Sequence, residues 1–273
     1  MISIVSVDAL YVGQARGLAA DVLVAHAHNV ALAPVATAIV SASHGVVTDV
    51  TDVPADTVHA QLEHVQAVSQ PTALRVGVLA GHASASAVFD FASTFDGPCL
   101  LDLQLSGLQG ETLLTERGIQ IARDQMHRVD LLIISHRDAE YFSSTEIRSL
   151  DDAQVAAQRI VKQGARAVLI KCGPLVARFF ERQDHESSGE VFNSDLYYDG
   201  DEFALFEAPH LENVNAAGAS SALSISILLH LSQERNLLDA IQSGKQFVSE
   251  ALRSAQALGP EAPLRYFRPV PTR

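Results

Sequence analysis

Short apolar runs alternate with longer stretches of helical period along most of this chain, and that rhythm limits the folds open to it. Residues 2–7, 35–40, 74–79, 99–105, 131–135 and 167–171 are the runs. Each is apolar almost throughout rather than every second residue, the pattern of a strand covered on both faces. Between them, 17–28, 55–68, 83–91, 115–129 and 153–162 are predicted helices. In the second, Val58, Leu62 and Val65 share one face, and Gly164 closes the last. Residues 218–231 and 237–252 are predicted as two long helices. Strand and helix in alternation imply a mostly parallel central sheet with helices on both faces, a three-layer α/β/α architecture.

Several segments stand outside the rhythm. Residues 46–50 (VVTDV) are expected to form a short edge or lid strand. Residues 176–181 are expected to pair with 167–171 as a hairpin, and 184–201 to form a loop or ragged hairpin. The tail from Gly259 carries four prolines and is expected to be extended. A chain of 273 residues suits one large α/β domain or two small ones. With no internal repeat, low-complexity stretch or linker, a single domain over 1–273 is expected.

Charge and cysteine content narrow the partners. Lys plus Arg is 19 against 32 for Asp plus Glu, a net charge of −13. Such a surface repels nucleic acid and anionic membranes, so neither is expected as a partner. The two cysteines, Cys99 and Cys172, lie in or beside apolar runs and are expected as reduced, buried thiols. The start MISIVSVDAL lacks the features of a signal peptide, and no apolar run is long enough to span a membrane. A cytoplasmic location is expected.

In sheets of this kind ligands bind beyond the carboxyl ends of the strands. That places Asp8, 77–81, 102–107, 135–140 and 171–173 at the candidate site. Four constellations could carry chemistry there. In the first, small residues after Asn215 (NAAGASS, 215–221) lead into an apolar helix. A helix start free of bulky side chains offers backbone N–H groups and partial positive charge to an anion; an ordinary capped helix start has the same pattern. In the second, Lys171 ends an apolar strand, where it could neutralise phosphate oxygens or simply be solvated. In the third, Asp102, Asp138 and Glu140 are carboxylates able to hold Mg²⁺ through water, or to cap helices. In the fourth, Asp8 is followed by a loop containing Gly13 and Gly17, a possible pocket floor or a plain connection. The histidines, among them His26, His28, His82, His136 and His210, show no ligand spacing and are expected at the surface or in packing.

Taken in order, these segments resemble the hydroxymethylpyrimidine/phosphomethylpyrimidine kinases, members of the ribokinase-like superfamily, over residues 1–257. LRVGVL (74–79) is similar to the family's Lys-Ile-Gly-Met-Leu strand, with Arg75 for Lys. LLDLQLSG (100–107) resembles the Asp-Pro-Val strand. ISHRDAE (134–140) resembles the Thr-Pro-Asn-x-x-Glu region, keeping Glu140. AVLIKCG (167–173) resembles the strand ending in Lys-Gly-Gly. VNAAGASSALS (214–224) stands where the family has Val-Asp-Thr-His-Gly-Thr-Gly-Cys-Thr-Leu-Ser.

The resemblance implies ATP-dependent phosphorylation of the pyrimidine's hydroxymethyl group or of its monophosphate, with ATP and Mg²⁺ as cofactors. Lys171, Gly218 and Ser221 would be catalytic. Lys171, Gly218, Ala219, Ser220 and Ser221 would bind nucleotide phosphate. Asp8, Gly13, Ala42, Val78 and Asp102 would line the substrate side, and Glu140 and Asp102 would hold the metal. A homodimer paired through the lid-strand region around 46–50 would be typical.

The departures fall in the site itself. Ser221 replaces the reacting Cys or Asp, and a serine hydroxyl is a poor proton acceptor on its own. Ser220 replaces a glycine, Asn215 and Ala217 replace Asp and His, and Arg137 replaces Asn. The residue reading the pyrimidine edge falls at Ser41 or Ala42. A catalytically degenerate homologue that binds a ligand or acts as a regulator is therefore the alternative reading.

Overall fold

The protein is described by a computed structural model covering residues 2–43, 46–107, 110–173 and 191–259, with Pro263, Leu264 and Tyr266. Strands β1 (Ser3–Tyr11), β2 (Ala31–Ser43), β4 (Ala73–Val76), β5 (Cys99–Leu103), β6 (Leu131–Ser135) and β7 (Val168–Gly173) run parallel. β3 (Val46–Asp52) pairs antiparallel with β2 at one edge. β8 (Phe192–Tyr198) and β9 (Phe203–Pro209) extend the other edge antiparallel, giving the order β3-β2-β1-β4-β5-β6-β7-β8-β9.

Helices α2 (Ala55–Ser69), α3 (His82–Ala92), α4 (Glu116–Gln125), α5 (His136–Ser143) and α6 (Leu150–Lys162) cover one face. Their Leu62, Phe89, Ile119, Phe142 and Ile160 join Leu74, Leu101, Leu132 and Ile170 of the sheet in one core. Helices α1 (Leu18–Ala27), α7 (Ala219–Leu231) and α8 (Leu237–Gln256) cover the other face, around Val24, Ile225, Leu228 and Ile241. The strands are apolar on both sides because each side meets a helix layer, as the uninterrupted runs predict. Cys99 and Cys172 are both buried and free of disulfides.

Several boundaries moved. The strand expected at 74–79 stops at Val76 because the chain breaks from the sheet at Gly77, where a Cβ would stand 2.3 Å from the Asp8 carboxylate. The helix expected over 115–129 tightens after Gln125 into a 3₁₀ turn, Met126–Arg128. Residues 136–143, for which no element was expected, form α5; the Ser135 hydroxyl caps it by accepting the Asp138 amide at 3.1 Å.

The antiparallel partner of β7 is β8, inside the segment expected to be a loop or ragged hairpin; 176–181 lies outside the described residues. Asp195 and Ser194 disguise this strand in the sequence. Both are buried and matched across the fold, Asp195 by Lys245 of α8 and Ser194 by Glu207 of β9. In the tail, Leu264 and Tyr266 pack into the second core.

Candidate active site

The helix start at α7 stands at the carboxyl end of the sheet, beside Lys171. Gly218 caps the helix at φ 89°, in the left-handed region. A Cβ there would lie 2.5 Å from the Tyr266 hydroxyl and 2.7 Å from the Ala15 carbonyl, so both conformation and space require glycine. The Asn215 side chain accepts the Ala217 amide at 3.0 Å, and the Ala219 amide donates to Ala216 at 3.0 Å. Ala219, expected to bind phosphate, therefore already spends its N–H on the turn. The later amides of the first turn and the α7 dipole make the anion-accepting end.

Beneath this turn lies a buried charge cluster. Arg75, fully buried on β4, reaches Asp8 at 2.6 Å, Asp21 at 3.0 Å and Asp102 at 3.0 Å, and donates to Ser224 at 2.7 Å. Lys171 reaches Asp102 at 3.1 Å and Ser220 at 2.6 Å, and the Ser220 hydroxyl lies 2.7 and 2.9 Å from the two Asp102 oxygens. Asp8 also accepts the amides of Ala9 and Val78 at 2.6 and 3.0 Å. Burial opposes ionisation of Asp102, but Lys171, Arg75 and Ser220 outweigh it and hold its pKa below the ordinary value. For Asp21 burial wins over Arg75, and its pKa rises to about 6. Burial works against the Arg75 charge, but Asp21, Asp8 and Asp102 more than offset it.

Above the cluster opens a cavity of about 440 Å³. Of the residues expected to be catalytic or to bind phosphate, Lys171, Gly218, Ser220 and Ser221 line it. The first loop contributes Tyr11, Arg16 and Gly17, the Arg16 guanidinium lying 5.0 Å over the Tyr11 ring. Gln104, Ser106 and Gly107 follow β5, and residues 135–138 bring the start of α5. Asp138 accepts the Ser106 hydroxyl at 2.9 Å, and burial raises its pKa despite that bond. His136, grouped with the packing histidines, lines the cavity, and burial lowers its pKa.

Other expected residues stand elsewhere. Asp8 and Val78 are fully buried: Asp8 serves Arg75 and backbone amides, and Val78 packs with Ala9, Tyr11, Ala38 and Val40 while its carbonyl accepts Thr37. Gly13 and Ala42 are absent from the cavity wall, although Gln14 ties their segments together by donating to the Ala42 carbonyl at 2.9 Å. Glu140 is likewise off the wall, and its carboxylate accepts the Ile147 amide at 2.7 Å. The pair expected to hold Mg²⁺ does not fit a directly bound ion. Asp102 has both oxygens committed to Arg75, Lys171 and Ser220 and no exposure, and Glu140 is occupied in closing a loop. Among the described residues no cluster of three or more His, Cys, Asp or Glu is placed to hold a metal.

Arg75 and Asp21 lie outside the segments expected at the site, whereas Arg16 lies in the expected loop after Asp8 and Gln104 and Ser106 in the expected 102–107 segment. Arg75 had a readable signal. A charged residue inside a fully apolar strand must find buried carboxylates, because an unpaired buried charge costs several kcal/mol.

A doubly covered parallel sheet, a glycine-capped helix start at its carboxyl end and a lysine beside that start define a ribokinase-like fold. Solved structures agree on the fold. Staphylococcus aureus pyridoxal kinase in complex with AMP-PCP superposes with a TM-score of 0.80 over 97% of this chain and 93% of that one, at 20% identity. A phosphomethylpyrimidine kinase from Clostridium difficile gives 0.74 over 92% and 99%, at 17% identity. The phosphomethylpyrimidine kinase family profile matches residues 13–264, and the chain belongs to that family. Hydroxymethylpyrimidine/phosphomethylpyrimidine kinase from Aquifex aeolicus is 28% identical over 215 residues, 78% of this chain and 79% of that protein.

Proposed function

We propose that this protein transfers the γ-phosphoryl group of ATP to the hydroxymethyl group of hydroxymethylpyrimidine or of its monophosphate. One observation carries the reading: Lys171 is held by Asp102 and Ser220 at the lip of the cavity, beside the glycine-capped start of α7. Phosphoryl transfer asks little of a protein beyond positioning and neutralising the charge that spreads over the transferring oxygens. The α7 start would seat the phosphates, and Lys171, about one-fifth exposed, would meet the oxygens in transit. Arg16 and Arg137 on the cavity wall add positive charge suited to a nucleotide.

Purified protein supplied with ATP, magnesium and hydroxymethylpyrimidine should form the phosphorylated pyrimidine and ADP, and Lys171→Ala should abolish this. Absence of turnover together with absence of nucleotide binding by calorimetry would overturn the reading. A ligand-binding role without turnover is the second reading. It is favoured by Ser220, whose hydroxyl fills the place of a glycine and binds Lys171 and Asp102. Nucleotide binding without phosphate transfer would establish it.

The family's pyrimidine specificity is carried to this chain by relatedness. The wall residues Gln104, Ser106 and Asp138 supply donors and acceptors for a heterocycle edge. We also infer a single domain that pairs as a homodimer through the β2–β3 edge, where Ile39 and Val46 are exposed, beside Leu10 of the neighbouring β1 and Val12 after it. Sedimentation equilibrium checks the dimer. Among the described residues no helix is long and apolar enough to cross a membrane.

A further inference from the structure

The Ser220 side chain joins the cavity to the charge cluster beneath it. Ser220 lines the cavity and is half-buried. A serine in the first turn of a helix is ordinarily solvated or bonded to nearby backbone. The Ser220 hydroxyl instead bonds a cation and an anion brought from two other strands. It accepts from Lys171 Nζ of β7 at 2.6 Å and donates to Asp102 of β5, whose oxygens lie 2.7 and 2.9 Å away. A hydroxyl bonded in this way keeps a second lone pair for an electrophile.

This is the set of partners that phosphoryl transfer asks of an acceptor hydroxyl. In kinases a carboxylate takes the acceptor's proton while a lysine neutralises the phosphate oxygens. Asp102 stands in the first position and Lys171 in the second. Asp102 is fully buried and held in place by Arg75 at 3.0 Å and by Lys171 at 3.1 Å. Because the transition state is loose, little bonding to the acceptor has formed when the old bond breaks. The proton therefore leaves late, and a carboxylate suffices to receive it.

We propose that Ser220 is a self-phosphorylation site. With a nucleoside triphosphate in the cavity and no small acceptor present, its hydroxyl takes the γ-phosphoryl group. This rests on the nucleotide site of the kinase reading above. Ser220 Oγ bonds to the γ-phosphorus, the bond from that phosphorus to the bridging oxygen breaks, and ADP leaves with that oxygen. The Ser220 proton passes to Asp102 and from there to water. The product, a phosphoserine in the first turn of α7, is favoured by the helix dipole and by Lys171. It fills the place of a transferring phosphate, so a chain modified in this way is closed to ATP and to further transfer.

The test incubates the full chain with magnesium and ATP, without any pyrimidine, and follows its intact mass. One phosphoryl group should be gained per chain, and tandem mass spectrometry should place it on Ser220 as an ester stable to hydroxylamine. The rate should not change when protein concentration is raised about tenfold, because acceptor and cavity belong to one chain. Ser220→Ala should take up none, and Lys171→Ala should slow uptake by about 10²-fold. The modified chain should bind ATP more weakly than the unmodified one by calorimetry. A group placed elsewhere overturns the proposal, as does a hydroxylamine-labile phosphate on Asp102 or a rate that climbs with protein concentration. Wild-type protein that binds nucleotide yet stays unmodified overturns self-phosphorylation alone. Protein that binds no nucleotide overturns the kinase reading and self-phosphorylation together.

Discussion

The floor of the cavity and its rim are built on opposite principles. The floor, made of Asp8, Asp21, Arg75 and Asp102, is fully buried, and each of these side chains has hydrogen-bonding partners within 3.0 Å. The rim, with Arg16, Ser106 and Arg137, is partly or fully exposed. Charges on the floor act at low dielectric, so small differences in partners separate like residues: Asp102 is pushed toward the charged form and Asp21 toward the neutral one around a single arginine. Charges on the rim are screened by solvent. The floor therefore sets geometry and proton affinity, and the rim sets what enters.

That contrast is most readily broken at Arg75. Arg75→Met should cost on the order of 3–5 kcal/mol, because it leaves carboxylates buried without their cation. Urea melts should show a large fall in midpoint, and Arg75→Lys should recover much of it. A loss of under 1 kcal/mol would mean that water reaches the floor. The next effect is smaller and depends on pH. The Asp21 pKa is raised in the folded state, so its contribution to stability is full below its unfolded pKa and is lost as pH rises through about 6. Asp21→Asn should flatten this decline and be more stable than wild type at pH 7.5 by on the order of 2 kcal/mol, as measured by denaturant midpoints at pH 4 and 7.5.

The smallest effects belong to the rim. Arg16→Ala and Arg137→Asn should each change stability by less than about 0.5 kcal/mol. Each should weaken nucleotide binding a few-fold, with the loss shrinking at high salt. Titration calorimetry at two ionic strengths measures this, and unchanged affinity would place the nucleotide elsewhere.

The layers were legible because burial on both faces of a strand leaves an uninterrupted apolar run, as at 131–135 and 99–105. The α7 start was legible for a similar local reason, since a glycine at φ 89° leading into an apolar helix leaves a mark in consecutive residues. β8 was hidden by Asp195 and Ser194, whose partners lie 50 and 13 residues away. Of the residues expected at the site, Lys171 and Gly218 line the cavity, and Asp8, Val78 and Glu140 do not. Lying at a strand end or in the following helix does not tell whether a side chain faces the cavity or the interior.

The sequence by itself determined the parallel strands, the helix layers and the small-residue turn, because those follow from periodicity and backbone freedom within short windows. Tertiary structure alone decided the chemistry. Arg75 draws on Asp102, Asp21, Asp8 and Ser224 across separations of 27, 54, 67 and 149 residues. A carboxylate's proton affinity depends on every charge and amide packed around it, and only the completed fold brings those groups together.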